Sequence, residues 1–225
     1  MIGLYQDLEK RAAEGRPIRC GLIGSGQMGV DIVSQVSCMK GIEVSAIADL
    51  ELARAADAYR IAGVPQGRVA SAKSATAAME AVRGGRFVIT DDPSLIPQIE
   101  ALESVVDATG QPEAGAAIAL DCFANGKHLV MMNVEADATI GPVLRRRAEQ
   151  AGVIYSLAAG DEPTALMELY GFARALGLEI VAAGKGKNNP LNHDAAPEEY
   201  AEEARRRGLN PGMLVEFVDG SKTMV

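Results

Sequence analysis

The chain has 225 residues, of which 48% are hydrophobic, so it can bury one complete core and part of a second. Its formal net charge of −8 at pH 7 opposes binding to nucleic acid, because the phosphate backbone would repel it. No stretch approaches the roughly 18 apolar residues that cross a bilayer, and the first residues lack the apolar segment of a signal peptide. We therefore expect a cytoplasmic protein whose partner is a small-molecule substrate, with neither nucleic acid nor membrane as a partner.

Short apolar runs alternate with alanine-rich stretches from Ile18 onward, after a short amphipathic helix predicted over residues 4–14. This alternation is typical of βαβ units, whose crossover helices cover both faces of a parallel sheet. The predicted strands cover residues 18–23, 44–48, 87–90, 105–108, 128–132 and 153–157. The predicted helices between them cover residues 27–39, 52–62, 74–82, 111–125 and 141–151. The pattern predicts an α/β fold with a doubly wound, parallel Rossmann sheet over residues 1–159.

The segment from residue 160 to residue 225 has a different pattern. In chain order we predict a helix over 164–176, a strand over 179–183, a Gly/Lys/Asn-rich loop over 184–192, a helix over 197–207 and a strand-like run within 214–225. In the helix over 197–207 glutamates come first and arginines last, which complements the helix macrodipole. We expect this segment to begin a second, α+β domain for substrate binding and dimerisation, which would continue in a longer protein.

A glycine-rich motif, GxGxxG, links the first predicted strand to the helix that follows it. Gly24 permits a tight turn, Gly26 lets the backbone approach a pyrophosphate, and Gly29 lets the helix pack close to the strand. The amides at the start of the helix and its positive dipole end favour phosphate binding. The predicted cofactor-binding residues of this turn are Gly24, Ser25, Gly26, Gln27, Met28 and Gly29.

Asp49 ends the next predicted strand, 20 residues after Gly29. Its carboxylate can accept hydrogen bonds from the adenosine ribose diol, which favours NAD, whereas the nearby Arg54 leaves NADP open. A methyltransferase is the main alternative, but such enzymes usually carry an acidic residue just before the glycines, where this chain has Leu22 and Ile23. The sequence therefore favours a dehydrogenase.

Polar residues follow two further predicted strands, at the edge of the sheet where ligands bind in this fold. Thr109 and Gly110 come after the fourth predicted strand (residues 105–108), and Glu135 comes after the fifth (residues 128–132). Gly110 would let the backbone approach the nicotinamide side of the cofactor. We include all three residues in the predicted cofactor site, although ordinary turn chemistry would also account for them.

At these motifs the chain resembles the homoserine-dehydrogenase-like NAD(P)-binding family. The resemblance rests on residues 24–29, 106–110, 160–163 and 184–192. It is closer to the 1-deoxy-D-xylulose 5-phosphate reductoisomerase-like, SAF-domain-containing oxidoreductases. That branch implies a homodimer, a further small domain, and reduction by NADP or NAD in isoprenoid precursor synthesis. Homoserine dehydrogenases carry an Asn-Lys pair after the fifth strand; this chain has Asn133-Val134-Glu135, which disfavours homoserine as the substrate.

Lysines in the second segment are the candidates for carbonyl chemistry, because hydride addition needs a cation near the developing oxyanion. We predict Lys187 and Lys222 as catalytic residues that polarise the carbonyl oxygen. Asp219, three residues before Lys222, would orient a lysine if both lay on one helix face, and homoserine dehydrogenases use an Asp and a Lys in a comparable region. Ordinary surface residues remain the alternative. Asp161 and Glu162 could bind a divalent metal or begin a helix, and we assign no metal site.

Together these features predict an NAD(P)-dependent oxidoreductase that reduces a small polar carbonyl compound, with or without a phosphate. Two alternatives stay open. One is an amino-acid oxidoreductase of the homoserine dehydrogenase type, and the other is a non-catalytic regulatory protein that binds a dinucleotide.

Overall fold

The computed structural model describes residues 3–158, 162–184, 190–207 and 211–220. The chain divides into two compact units, residues 1–156 and residues 157–225. Among the described residues, no helix is both long enough and apolar enough to cross a membrane.

A seven-stranded sheet with the order β3-β4-β2-β1-β5-β6-β7 organises the first unit. The strands are β1 (Ile18–Ile23), β2 (Ile42–Ala48), β3 (Val69–Ser71), β4 (Phe87–Thr90), β5 (Ser104–Asp107), β6 (His128–Met131) and β7 (Tyr155–Leu157). Its helices are α1 (Leu4–Ala13), α2 (Gln27–Ser37), α3 (Leu52–Ile61), α4 (Ala75–Arg83), α5 (Leu95–Gln98), α6 (Pro112–Ala124) and α7 (Val134–Ala151). In this sheet order, each pair of neighbouring strands from β3-β4 through β5-β6 is parallel. The sheet confirms the predicted Rossmann fold.

The core of this unit lies between the sheet and its helices. Leu22 on β1 and Ile47 on β2 are fully buried, and they pack in one cluster with Val33 of α2 and Tyr59 of α3. The Tyr59 hydroxyl donates a hydrogen bond to the carbonyl oxygen of Val44, at 3.0 Å, so the polar end of this buried ring is satisfied. The apolar strands are thus covered by helices, as the sequence predicted.

Three features of the first unit differ from the sequence prediction, and one of them is the short helix α5, which was not predicted. β3 was not predicted; it is a three-residue edge strand whose only large apolar residue is Val69. The helix predicted to start at Gly141 begins seven residues earlier, at Val134. The Asn133 side chain accepts a hydrogen bond from the Ala136 amide, at 3.2 Å, and so caps the helix at this earlier point. Gly152 ends the helix in the left-handed conformation.

The second unit contains helices α8 (Glu162–Ala175), α9 (Ala201–Arg207) and α10 (Pro211–Glu216), with a 3-10 turn over Pro197–Tyr200. The strand predicted over 179–183 is wrong: these residues form no strand, and Val181 is 90% exposed. A strand needs a partner, and none pairs with this run in the described part of the chain. The strand-like run from Leu214 is also wrong, because Leu214 and Val215 are buried residues of α10. Residues 221–225 lie outside the described residues.

Candidate cofactor site

The site lies at the carboxyl ends of the strands, where the strand order reverses around β1. β2 pairs with one side of β1 and β5 with the other. In doubly wound sheets the crevice at this switch point binds the ligand. The turns that follow β1, β2, β5 and β6 therefore lie along one edge of the sheet.

The turn after β1 is held tightly against the main chain of both neighbouring strands. Gly24 has a φ of +93°, which favours glycine, and its amide donates a hydrogen bond to the carbonyl oxygen of Ala48 at 2.8 Å. A Cβ on Gly24 would stand 2.7 Å from the carbonyl oxygen of Ala108, at the end of β5. Only glycine fits this position, because the obstacle is backbone.

The glycines on either side of the start of α2 have opposite surroundings. A Cβ on Gly29 would stand 2.2 Å from the Gly24 carbonyl oxygen, so this glycine lets the helix approach the turn. A Cβ on Gly26 would meet no atom within 4 Å. Gly26 is the N-cap residue and has no side chain with which to cap α2, so the first-turn amides remain for an anion in the crevice. Gln27 and Met28 are exposed beside it.

Asp49, at the end of β2, is connected to the glycine turn through Ser25. One carboxylate oxygen, Oδ2, accepts hydrogen bonds from the Ser25 amide at 2.8 Å and from the Ser25 hydroxyl at 2.6 Å. The other oxygen, Oδ1, accepts from the Glu51 amide at 2.9 Å. Arg54, the residue that could favour NADP, forms an ion pair with Glu51 at 3.0 Å. The predicted ribose contact and the predicted pyrophosphate turn are therefore adjacent.

Thr109 and Gly110 form the turn after β5. The Thr109 amide donates a hydrogen bond to Oδ1 of Asp107, at 3.0 Å. Gly110 has a φ of +66° and a Cβ there would meet nothing within 4 Å, so the turn is open on that side. Asp107 itself is fully buried, and this burial raises the pKa of its carboxyl, against the opposing effect of the Thr109 hydrogen bonds.

Glu135 lies in the first turn of α7, just after the cap residue Asn133. Its carbonyl oxygen accepts a hydrogen bond from the Thr139 hydroxyl at 2.7 Å. A negatively charged side chain in the first turn is favourable for the helix dipole, so Glu135 also has a structural explanation. The structure brings the predicted cofactor residues to one edge of the sheet.

The predicted catalytic residues are placed less completely. Lys187 and Lys222, like Lys185 and Asp161, lie outside the described residues, as does the side chain of Glu162. Asp219 lies beyond the end of α10, and Lys222, with which it would share a helix face, lies outside the described residues. Its carbonyl oxygen lies 2.8 Å from Nδ1 of His193. Among the described residues, no group of three or more His, Cys, Asp or Glu side chains could hold a metal ion.

Two buried polar residues at this edge were not among the predicted site residues. Asp107 and Asn133 are 0% and 1% exposed, and both follow or end strands of the second half of the sheet. A sequence signal existed for each: Asp107 stands two residues before the Thr-Gly turn, and Asn133 is a residue type favoured at the N-cap of a helix.

Comparison with known proteins identifies the family. The family described as "Homoserine dehydrogenase, NAD binding domain" matches residues 20–158, which is more than half of the chain. The chain belongs to this family. Residues 160–225 match a second family, described as "Oxidoreductase DRL, catalytic domain". The homoserine-dehydrogenase-like resemblance of the sequence is thereby confirmed, and the first unit is an NAD-binding domain. No curated protein matches the chain.

Solved structures support the fold of this NAD-binding domain. An NAD-binding oxidoreductase from Klebsiella pneumoniae is 19% identical and superposes with a TM-score of 0.52, covering 72% of this chain and 39% of its own. An oxidoreductase from Agrobacterium radiobacter, solved with NAD+, L-tartaric acid and magnesium, is 15% identical with a TM-score of 0.50 and coverages of 71% and 40%. The chain thus spans about two fifths of the length of these two proteins.

The residues at the crevice fit the cofactor of the family. Gly26 leaves open space at the start of α2, where a pyrophosphate would approach the backbone. Asp49 lies beside that space with a carboxylate suited to a ribose diol. The predicted nicotinamide dinucleotide is consistent with both observations.

Proposed function

We propose that the chain is the cofactor-binding part of an NAD(P)-dependent oxidoreductase that reduces a small polar carbonyl compound. The observation that carries the proposal is the turn after β1, in which Gly24 and Gly29 are fixed by close backbone contacts while Gly26 borders open space. We assign residues 1–159 to cofactor binding and residues 160–225 to the beginning of the substrate domain. The match of residues 160–225 to an oxidoreductase catalytic domain supports this division.

The dinucleotide, when bound, supplies or accepts the hydride. The glycine turn would hold its pyrophosphate, and Asp49 would hold the adenosine ribose in an orientation fixed by Ser25. In a doubly wound sheet the second mononucleotide lies on the other half of the crevice, here beside Thr109, Gly110 and Glu135. Each of these residues would help to hold the cofactor in place. A cofactor held in the right geometry next to the substrate lowers the reaction barrier, because the two need not find each other by diffusion.

For the chemistry on the substrate we propose Lys187 and Lys222 as the groups that stabilise negative charge on the carbonyl oxygen, with Asp219 orienting one of them. A cation at this point lowers the barrier because charge develops on the oxygen in the transition state. Two lysines in a chain of net charge −8 would also attract a phosphorylated substrate. The substrate class we propose is therefore that of the reductoisomerase-like enzymes, a phosphorylated carbonyl compound of isoprenoid precursor synthesis.

A homodimer is part of the same proposal. It rests on the resemblance of the second segment to a dimerisation domain, and light scattering of the purified chain tests it. A mass near twice 23.6 kDa is the expected result, and a mass of one chain at micromolar concentration would contradict it.

Cofactor binding and turnover test the proposal in two stages. The chain contains no Trp, so the nicotinamide fluorescence of NADH and NADPH can be followed without interference from protein emission. We expect saturable binding of at least one of them. Oxidation of the bound cofactor is then measured with matched phosphorylated and unphosphorylated aldehydes and ketones, and reduction of NAD+ or NADP+ with homoserine.

Each result has a defined meaning. Turnover with the phosphorylated carbonyl compounds, but not with their unphosphorylated counterparts, supports the proposed substrate class. Turnover with homoserine would support the amino-acid alternative. If a longer protein that contains this chain binds the cofactor but turns over none of these substrates, a regulatory role is favoured. If the folded chain binds neither NADH nor NADPH, the proposal is overturned.

A further inference from the structure

Asp107 has one satisfied and one unsatisfied carboxylate oxygen in the interior of the NAD-binding domain. It is 0% exposed at the end of β5. Its Oδ1 accepts the hydrogen bond from the Thr109 amide, whereas Oδ2 has no partner of good hydrogen-bond geometry within the described part of the chain, and the neighbouring Asn133 side chain acts to lower the pKa of the carboxyl. A buried polar atom left in this way is costly, so the position needs an explanation beyond packing.

Asn133 connects the starts of two helices on the same side of the sheet. Its Nδ2 donates a hydrogen bond to the carbonyl oxygen of Gln111, at 2.7 Å, and Gln111 is the residue before α6. Its Oδ1 accepts from the Ala136 amide in the first turn of α7. One buried amide side chain therefore holds the beginning of α6 to the beginning of α7.

Gly115, in α6, brings these two side chains together. A Cβ on Gly115 would stand 2.8 Å from Oδ2 of Asp107 and also 2.8 Å from Nδ2 of Asn133. The side chains of Asp107 and Asn133 therefore both approach the position that a Cβ of residue 115 would occupy, and only glycine leaves that position empty. The Gln111 carbonyl oxygen, which accepts from Asn133, also accepts from the Gly115 amide at 2.9 Å.

The turn between these groups is the part of the crevice opposite to Asp49. Ala108, Thr109 and Gly110 connect β5 to α6, and the Ala108 carbonyl oxygen lies against Gly24. The adenosine half is expected on the side of β2, where Asp49 lies, so the turn after β5 faces the nicotinamide half.

We propose that Asp107, Asn133 and Gly115 form a brace that fixes the Thr109–Gly110 turn as the seat of the nicotinamide half of the cofactor. Asp107 and Asn133 are then positioning residues, because they act through the turn. This inference rests on the proposed function, since it requires a bound dinucleotide. Asp107 sets the turn through the Thr109 amide, and Asn133 sets the helix starts on which the turn depends.

Two ligands separate this role from a general structural one. NAD+ carries both halves of the dinucleotide, whereas ADP-ribose lacks the nicotinamide ring. We would measure the affinity of the 225-residue chain for each by calorimetry, for the wild type and for the variants Asn133→Ala, Asp107→Ala and Asp107→Asn. Asn125→Ala, at the other end of α6, is the matched control, because its exposed side chain bonds only within that helix.

We expect Asn133→Ala and Asp107→Ala to weaken NAD+ binding about five- to tenfold, the loss of one or two hydrogen bonds that set the turn. ADP-ribose binding should stay within about twofold of the wild type. Asp107→Asn keeps an oxygen to accept from Thr109 and should restore most of the NAD+ affinity. Asn125→Ala should change neither affinity.

The inference is overturned if NAD+ and ADP-ribose weaken together in both alanine variants, or if neither affinity changes. If Asn133→Ala does not fold, the comparison of Asp107→Ala with Asp107→Asn decides, and failure of the asparagine to restore binding counts against the brace. A wild-type chain that binds neither ligand overturns the proposed function itself, whereas a wild type that binds both with unchanged variants overturns only the brace.

Discussion

The carboxylate of Asp49 accepts hydrogen bonds from both the main-chain amide and the hydroxyl of Ser25, at 2.8 and 2.6 Å. The end of β2 is therefore fastened to the glycine turn by the same side chain that we propose for the ribose. A carboxylate offers about four lone-pair positions, of which three are used here, so it can still accept from a ribose hydroxyl. Ser25 in this way determines where the acceptor points.

Replacement of this carboxylate should weaken cofactor binding. In Asp49→Asn the single amide oxygen cannot accept from both Ser25 donors and the ribose at once, and we expect a loss of about 1.5–3 kcal/mol in NAD+ binding, roughly 10- to 150-fold. NADP+ should be affected less, so the preference for NAD+ should fall. Ser25→Ala removes only the hydroxyl donor, and we expect about fivefold weaker NAD+ binding. Calorimetric titration measures all of these affinities.

Asp57→Asn is the control for this pair of variants. Asp57 is an exposed residue of α3 that pairs with Arg60 at 2.9 Å, so its replacement should leave both affinities as they are. Equal NAD+ affinities of Asp49→Asn and the wild type would show that Asp49 does not contact the ribose.

The two glycines around the start of α2 should separate stability from binding. Gly29→Ala places a methyl group 2.2 Å from the Gly24 carbonyl oxygen, and backbone cannot move aside as a side chain can. We expect the free energy of unfolding in urea to fall by about 1–3 kcal/mol. Gly26→Ala meets no atom within 4 Å and should leave stability nearly unchanged, while its methyl group weakens cofactor binding.

The reverse pattern would contradict this interpretation of the turn. If Gly26→Ala bound NAD+ and NADH like the wild type, the pyrophosphate would not approach the backbone at that residue. If Gly29→Ala were as stable as the wild type, the close approach of α2 to the turn would not matter for folding.

Asp107 should make the stability of the domain depend on pH. Burial raises the pKa of its carboxyl above the ordinary value of 3.8, so the unfolded chain ionises at lower pH than the folded one. Below about pH 3.8 the group is protonated in both states and contributes nothing. As the pH rises from there through the folded pKa, ionisation favours the unfolded chain, and stability is lost.

Asp107→Asn removes this titration and keeps an acceptor for the Thr109 amide. We therefore expect the stability of the variant, relative to the wild type, to increase between about pH 4 and neutral pH in urea unfolding. Cys122 does not interfere, because burial raises its pKa to about 12. Asp31→Asn, an exposed position of α2, serves as the control. A difference that stays constant with pH would show that Asp107 is ionised in the folded protein as readily as in the unfolded one.

Lys127 should stabilise the opposite end of the sheet without affecting the cofactor. It is 6% exposed at the start of β6, and its Nζ donates to the carbonyl oxygens of Glu100 and Leu102 at 3.1 and 2.8 Å. Lys127→Met leaves these two acceptors without their donor, and we expect a loss of about 1–3 kcal/mol of unfolding free energy. The exposed Lys73→Met is the matched control and should be neutral. Any change of NAD+ affinity in Lys127→Met would contradict a purely structural role.

The sequence predicts most of the NAD-binding domain because its strands are apolar on both faces and its helices are regular. β3 was not predicted because it has three residues and one large apolar side chain, which is too short to show the apolar/polar alternation of a strand. The start of α7 is missed because Gly141 and Pro142 are typical of a helix boundary. In the structure, the cap at Asn133 and the buried Ala136 and Leu144 stabilise the helix on both sides of that pair.

The site is predictable where one motif specifies one geometry, and less so where function depends on residues far apart in sequence. The glycine turn and Asp49 follow a known spacing. The hydrogen bond from Asn133 to Gln111 spans 22 residues, and no local pattern indicates it. The bond between Ser25 and Asp49 is equally invisible in the sequence, because it depends on how β1 and β2 pair.

Where Gly24 and Ala108 meet, main chain packs directly against main chain, so no side-chain rotation at this contact could let the ends of β1 and β5 slide past each other. Any closing motion around a substrate would therefore have to move the ends of β1 and β5 together, and with them the sites proposed for the two halves of the dinucleotide.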